Sequence, residues 1–220
     1  MRINKYLARS TGISRRMADR TVAANRVTIN NQPATAGSDV TDADIVMLDD
    51  RTITPTVKTV TIMFHKPVGC VVSREGQGSL TVYDLLPDEY RLLKPIGRLD
   101  KNTSGLLLFT NDGTLANELT HPRYAKTKIY EVTLGKALAP LHRQMINDHG
   151  INLEDGVSQL TLERMTDGDD THWRITMQEG RNRQIRRTFA ALSYHVAALH
   201  RTNFGNYILG ELQPRQIQIV

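Results

Sequence analysis

Cysteine is almost missing from this chain of 220 residues: Cys70 stands alone. An internal disulfide framework and a cysteine-rich zinc site are therefore excluded. No apolar run approaches the roughly 18 residues that a spanning helix needs. The N-terminal residues Met1-Arg2-Ile3-Asn4-Lys5 lack the apolar core of a secretory signal. The seven histidines show no metal-ligand spacing. Gly76-Gln77-Gly78 lacks the Gly-Lys-Ser/Thr ending of a phosphate-binding loop. No Ser, His and Asp pattern announces a hydrolase. The missing cysteines, spanning run and secretory signal point to a cytoplasmic protein with no membrane partner.

What is present is ordinary globular material, with 40% apolar and 23% charged residues. The length suits one large domain, or a small domain joined to a medium one. Lys and Arg number 28 against 23 for Asp and Glu, a net charge of +5. The distribution says more than the total. Residues 2–26 hold seven basic side chains and one acidic, and residues 181–210 hold five basic and none acidic. Two separated basic patches suit a phosphate backbone touched at two places, although solvated charged faces would look the same.

Ile3, Tyr6 and Leu7 fit one face of a short helix, which Gly12 interrupts. Ser14 is placed to cap a second helix from Arg15 to about Ala24. Val27-Thr28-Ile29 reads as a strand, Asn30-Asn31 as a tight turn, and Ala43 to Leu48 as a final strand. This makes a small module over residues 1–48 whose helices present Arg9, Arg15, Arg16 and Arg20. Residues 49–58 are polar and rich in Thr, as a linker would be. Residues 59–220 form a second domain. Strands are expected at residues 60–65, 106–109, 129–134 and 173–178. Ile185, Phe189, Leu192, Val196 and Leu199 continue one helical stripe, although residues 193–199 equally suit a strand. The expected class is α+β, built on a mixed, mainly antiparallel sheet.

Three segments carry candidate chemistry. Gly97-Arg98-Leu99-Asp100-Lys101-Asn102-Thr103-Ser104-Gly105 sets a carboxylate in a glycine-bounded loop just before a buried strand, which holds such a loop rigidly. A lone loop Asp is more often a turn residue. Lys128-Ile129-Tyr130-Glu131-Val132 places Tyr130 on one strand face with Val132 and Leu134, as a core tyrosine would be. Glu179-Gly180-Arg181-Asn182-Arg183-Gln184-Ile185-Arg186-Arg187 packs four arginines into seven residues at a strand-to-helix junction. Arginine suits planar, bidentate contact to phosphate or carboxylate.

In this order, and with His65-Lys66-Pro67-Val68-Gly69, Thr110-Asn111-Asp112-Gly113, Leu119-Thr120-His121-Pro122-Arg123-Tyr124 and Leu153-Glu154-Asp155-Gly156, these segments closely resemble the ribosomal pseudouridine synthases of the small-subunit-synthase type. The N-terminal module resembles the S4-type RNA-binding domain that often precedes that catalytic domain. Departures are few. Asn25 stands where that module usually has Gly, Asn31 stands where Gly commonly follows Asn30, and Asn102 replaces a common Asp.

The resemblance implies an enzyme that isomerises a uridine of ribosomal RNA without metal or organic cofactor. It implies Asp100 as nucleophile, Arg186 as the cation that keeps it charged, and Tyr130 stacked on a uracil flipped out of its helix. Arg98 would steady the flipped state. Lys128, Arg181, Arg183 and Arg187 would bind substrate, with the three arginines on phosphates. Arg9, Arg15, Arg16 and Arg20 would anchor the RNA. The form of residues 179–187 is more similar to the large-subunit members, and the family precedent is monomeric. The rivals are a non-catalytic RNA-binding or ribosome-assembly protein, a synthase acting on small-subunit ribosomal RNA, and a hydrolase. The last would need a second carboxylate or a metal cluster.

Overall fold

The computed structural model describes residues 1–54 and 58–220. The chain divides into two compact units, Met1–Thr59 and Val60–Val220.

The first unit opens with α1 (Ile3–Thr11) and α2 (Arg15–Ala23). Gly12 ends α1 in the left-handed conformation (φ 77°), and the Ser14 hydroxyl caps α2 by accepting the Met17 amide. Strands β1 (Val27–Ile29), β2 (Gln32–Pro33), β3 (Val46–Leu48) and β4 (Arg51–Ile53) form a sheet in the order β2-β1-β3-β4. Ile3, Leu7, Ala18, Val22, Val27 and Val46 fill its core. The helices bury these apolar faces and leave Arg9, Arg15, Arg16 and Arg20 exposed.

The polar composition of residues 49–58 misled. Asp49 and Asp50 adopt φ 48° and 61°, a two-residue turn that pairs Arg51–Ile53 with β3. The Arg26 guanidinium grips Asp49, and the Tyr6 hydroxyl donates to the Ile53 carbonyl at 2.9 Å. The first unit therefore does not stop at residue 48. The rest of that expected linker includes residues 55–57, which lie outside the described residues.

The second unit contains β5 (Thr61–Lys66), β6 (Lys94–Ile96), β7 (Ser104–Thr110), α3 (Gly113–Thr120), β8 (Lys128–Leu134), α4 (Pro140–Gln144), β9 (Ile151–Leu153), β10 (Gly156–Ser158), β11 (Thr161–Arg164), β12 (His172–Met177), α5 (Gln184–Ala191), β13 (Val196–Phe204), β14 (Tyr207–Ile208) and β15 (Ile217–Ile219). Its main sheet runs β11-β12-β8-β13-β7-β5-β15, with β14 on β13 and β6 on β7. All these pairings are antiparallel except β13 with β7.

Strand β7 is covered on both faces, which is why its sequence is a continuous apolar run. Leu107 and Phe109 join the core with Phe64, Trp173 and Phe189, while Leu106 and Leu108 join Met63, Ile96 and Phe204. The helical stripe breaks at Ser193, whose φ of 63° turns the chain, so Val196 begins a strand instead.

Candidate functional site

The loop carrying Asp100 is held from below. The side chain of Lys66 is fully buried, and its ammonium donates to the carbonyls of Pro67 (3.0 Å), Asp100 (3.0 Å) and Thr103 (2.8 Å). Burial pushes the Lys66 ammonium below its ordinary range, against opposing pulls from Cys70 and Asp100. The Gly69 amide donates to the Lys101 carbonyl at 2.8 Å. Gly105 is required just beyond the loop. Its φ is +110°, and a Cβ there would sit 2.2 Å from the Arg201 carbonyl oxygen, where β7 meets β13.

The Asp100 carboxylate faces a cleft of about 640 Å³. Tyr130, Lys128, Met177, Leu199, Arg201 and Phe204 line it from β8, β12 and β13. Arg98, Arg181, Arg183 and Arg186 also border it. Tyr130 is 8% exposed and belongs both to the core and to the cleft wall. Arg98 is exposed.

The arginine cluster is divided in a way that spacing does not reveal. The direct ion-pair partner of Asp100 is Arg183, not Arg186, with Nη1 3.5 Å from Oδ2. Arg183 sits at the N-cap of α5 in the left-handed conformation, φ 46° and ψ 32°. A residue with a Cβ is strained there. Arg186 instead donates to the Asn102 carbonyl (2.7 Å) and the Val196 carbonyl (2.9 Å), tying the Asp100 loop to the start of β13. Burial pushes the Arg186 guanidinium below its ordinary range, Arg183 adds to the push, and Asp100 opposes it.

Arg181 and Arg187, which the resemblance assigns to phosphates, both reach Asp155 within the protein. Arg187 makes two bonds to the Asp155 carboxylate, at 3.0 and 2.7 Å. Arg181 donates to the Asp155 carboxylate and to the carbonyls of Asp155, Gly156 and Val157. Arg187 leads the forces that hold the Asp155 carboxyl below the usual carboxylate range. Both guanidiniums thus clamp the β9–β10 turn. Behind them the buried Gln184 amide donates to Glu179 (2.7 Å) and Ser158 (3.1 Å).

Sequence reasoning missed Lys66 and Arg201. Lys66 lies in the segment His65-Lys66-Pro67-Val68-Gly69, where nothing marks a lysine as buried. Arg201 is 2% exposed, donates through Nε to the Leu106 carbonyl (2.8 Å), stacks over Phe204, and has a buried Nη2 without a partner. Lys128 lies over the same ring, and burial first, then Arg201, push its ammonium down against the pull of Glu179. The cleft floor thus carries two cations around Phe204. Among the described residues, no cluster of His, Cys, Asp and Glu could hold a metal ion, and no helix is long and apolar enough to cross a membrane.

Residues 60–191 match the family of RNA pseudouridylate synthases, and residues 1–46 match the S4 domain. An uncharacterized RNA pseudouridine synthase of Aquifex aeolicus is 36% identical over 97% of the chain and 88% of its own length. The ribosomal large subunit pseudouridine synthase B of Haemophilus influenzae is also 36% identical, over 97% of the chain but 62% of its own length. The ribosomal small subunit pseudouridine synthase A of that organism is 31% identical over 96% of the chain and 91% of its own length. The chain spans about half the length of other large-subunit relatives, such as 47% for the one from Xylella fastidiosa. A crystal structure of a pseudouridylate synthase superposes with a TM-score of 0.71 at 28% identity, covering all of this chain and 96% of that one.

Proposed function

This chain belongs to the RNA pseudouridylate synthase family, and we propose that it converts a uridine of ribosomal RNA to pseudouridine in the cleft around Asp100. The observation that carries this reading is the convergence of Asp100, Tyr130, Arg183 and Arg186 on one cleft, from three separate stretches of sequence.

The reaction breaks the bond between uracil N1 and the ribose, rotates the base, and rejoins it through C5, whose proton leaves. Nothing is oxidised: the base loses a proton from C5 and gains one at N1, and no other atom is lost. Asp100 meets the electron-poor sugar carbon as the first bond breaks, the task carboxylates perform in glycoside cleavage. Arg183 neutralises that carboxylate directly, and Arg186 fixes the loop that aims it. The Tyr130 ring packs against the detached uracil, with Met177, Leu199 and Ile185 supplying the apolar surround. Its flat face tolerates the base in either orientation. Arg98 steadies the extruded nucleotide, and Lys128 with Arg201 offers charge to its phosphates.

The N-terminal unit anchors the RNA through Arg9, Arg15, Arg16 and Arg20, which its helices leave exposed. The similarity of residues 179–187 to large-subunit synthases favours large-subunit ribosomal RNA, within free RNA or a pre-ribosomal particle in the cytoplasm. Family precedent favours a monomer. A chemical map of pseudouridines in ribosomal RNA from cells with and without this gene tests the reading. One large-subunit site disappears if it holds, and an unchanged map overturns it.

A further inference from the structure

The segment joining α3 to β8 forms one edge of the cleft. Thr120, His121, Pro122, Ala125 and Lys126 line it. A Cβ on Gly97 would lie 4.0 Å from Thr120 Cγ2, so this edge abuts the loop that carries Arg98 and Asp100. Between its lining residues the segment makes a single 3₁₀ turn, Pro122–Tyr124. Three features stiffen the turn. Pro122 fixes its first φ, His121 Nδ1 accepts the Arg123 amide at 3.2 Å, and Ala125 closes it at φ 43°.

The turn displays rather than buries its side chains. Tyr124 is 37% exposed, Arg123 is exposed, and Tyr124 belongs to none of the buried clusters. The Arg123 guanidinium lies 4.4 Å from the Tyr124 ring centroid and donates to the Tyr124 hydroxyl, while the His121 ring meets Tyr124 edge-on at 6.3 Å. Packing does not explain why a phenol, a guanidinium and an imidazole are gathered on a strained surface turn. Stacking of an unpaired base does, because such a base seeks a flat aromatic or guanidinium plane beside a cation for its phosphate. Lys126, on the same edge, supplies that cation.

We infer that Arg123 and Tyr124 form a stacking platform for the base of a nucleotide flanking the target uridine. The inference rests on the reading of the cleft as the site of RNA isomerisation and adds a second base-binding position to it. The platform holds open the strand from which the target is extruded, and so helps choose which uridine is presented.

The test uses the full-length protein and a ribosomal RNA fragment containing the mapped target, with each flanking nucleotide replaced in turn by an abasic one. Tyr124→Ala and Tyr124→Leu raise KM roughly tenfold on the intact RNA, as expected for one lost stacked base. The loss falls on KM more than on kcat, and Tyr124→Phe restores most of it. At one flanking position the abasic RNA costs wild type the same factor and costs Tyr124→Ala nothing further. A 2-aminopurine placed there is quenched on binding wild type and not on binding Tyr124→Ala. The platform is overturned if Tyr124→Ala keeps the wild-type KM, or if its loss adds to that of an abasic nucleotide at every flanking position. Absence of product from wild type on any ribosomal RNA is a different failure, that of the functional reading itself. The fluorescence measurement distinguishes the two because it needs only binding.

Discussion

Arg183 Nη1 stands 3.5 Å from Asp100 Oδ2, and it reaches that place from a left-handed backbone that strains any residue with a Cβ. Strain of this kind persists where surrounding structure demands it. The pair is partly exposed, at 51% and 32%, so it contributes little to stability. Arg183→Gln is therefore expected to lower kcat at least tenfold while leaving Tm almost unchanged. Arg183→Lys falls between the two, because an ammonium cannot reproduce the planar fork. Steady-state kinetics with thermal melts decide this, and a wild-type kcat for Arg183→Gln would remove the pair from the chemistry.

Lys66 is a positioning residue in this account. Lys66→Met strands three carbonyls inside the protein, and each orphaned acceptor costs about 1–3 kcal/mol. Tm is expected to fall by several degrees. Product formation is expected to fall further than the loss of folded protein accounts for, since the carbonyls released include that of Asp100 itself. Activity measured well below the new Tm separates the two effects.

The clamp on Asp155 gives a contrast in salt dependence. Arg187→Gln should lower Tm by a few degrees and leave the salt slope of RNA binding unchanged, because its guanidinium is already held by Asp155. Changing Arg9, Arg15, Arg16 and Arg20 together to Gln should do the reverse, flattening the slope by about three if each meets a phosphate. Binding titrations from low to high salt check both.

His200 sets an acid limit on stability. Burial holds its imidazole below the ordinary histidine range, His65 adds to the effect, and Glu131 opposes it. The unfolded chain therefore takes up the proton first as pH falls through about 6.5. Stability contributed by neutral His200 is present above that value and is lost below it, levelling off beneath the folded-state pKa. His200→Gln should flatten the decline of Tm on acidification, which melts over a pH series will measure.

Much of this protein was legible in its sequence. Ser14 as a helix cap and the doubly buried β7 follow from local pattern alone, because capping and burial leave marks at fixed spacings. The strand at Arg51–Ile53 was hidden because its register depends on an Asp-Asp turn that looks like linker composition. The division of labour among the arginines was hidden for a different reason. Four guanidiniums in seven residues are chemically alike, and only the distant Asp155, Asn102 and Asp100 decide which becomes a clamp, a tether or an ion pair. Lys66 and Arg201 escaped notice because burial of a cation is a tertiary fact.

The central claim is that one carboxylate acts on the sugar of an extruded uridine. The most direct measurement maps pseudouridine in ribosomal RNA after incubation with purified Asp100→Ala and, separately, with wild type. Wild type alone should form product, with RNA binding by the variant largely retained. A normal yield of pseudouridine from Asp100→Ala would contradict it.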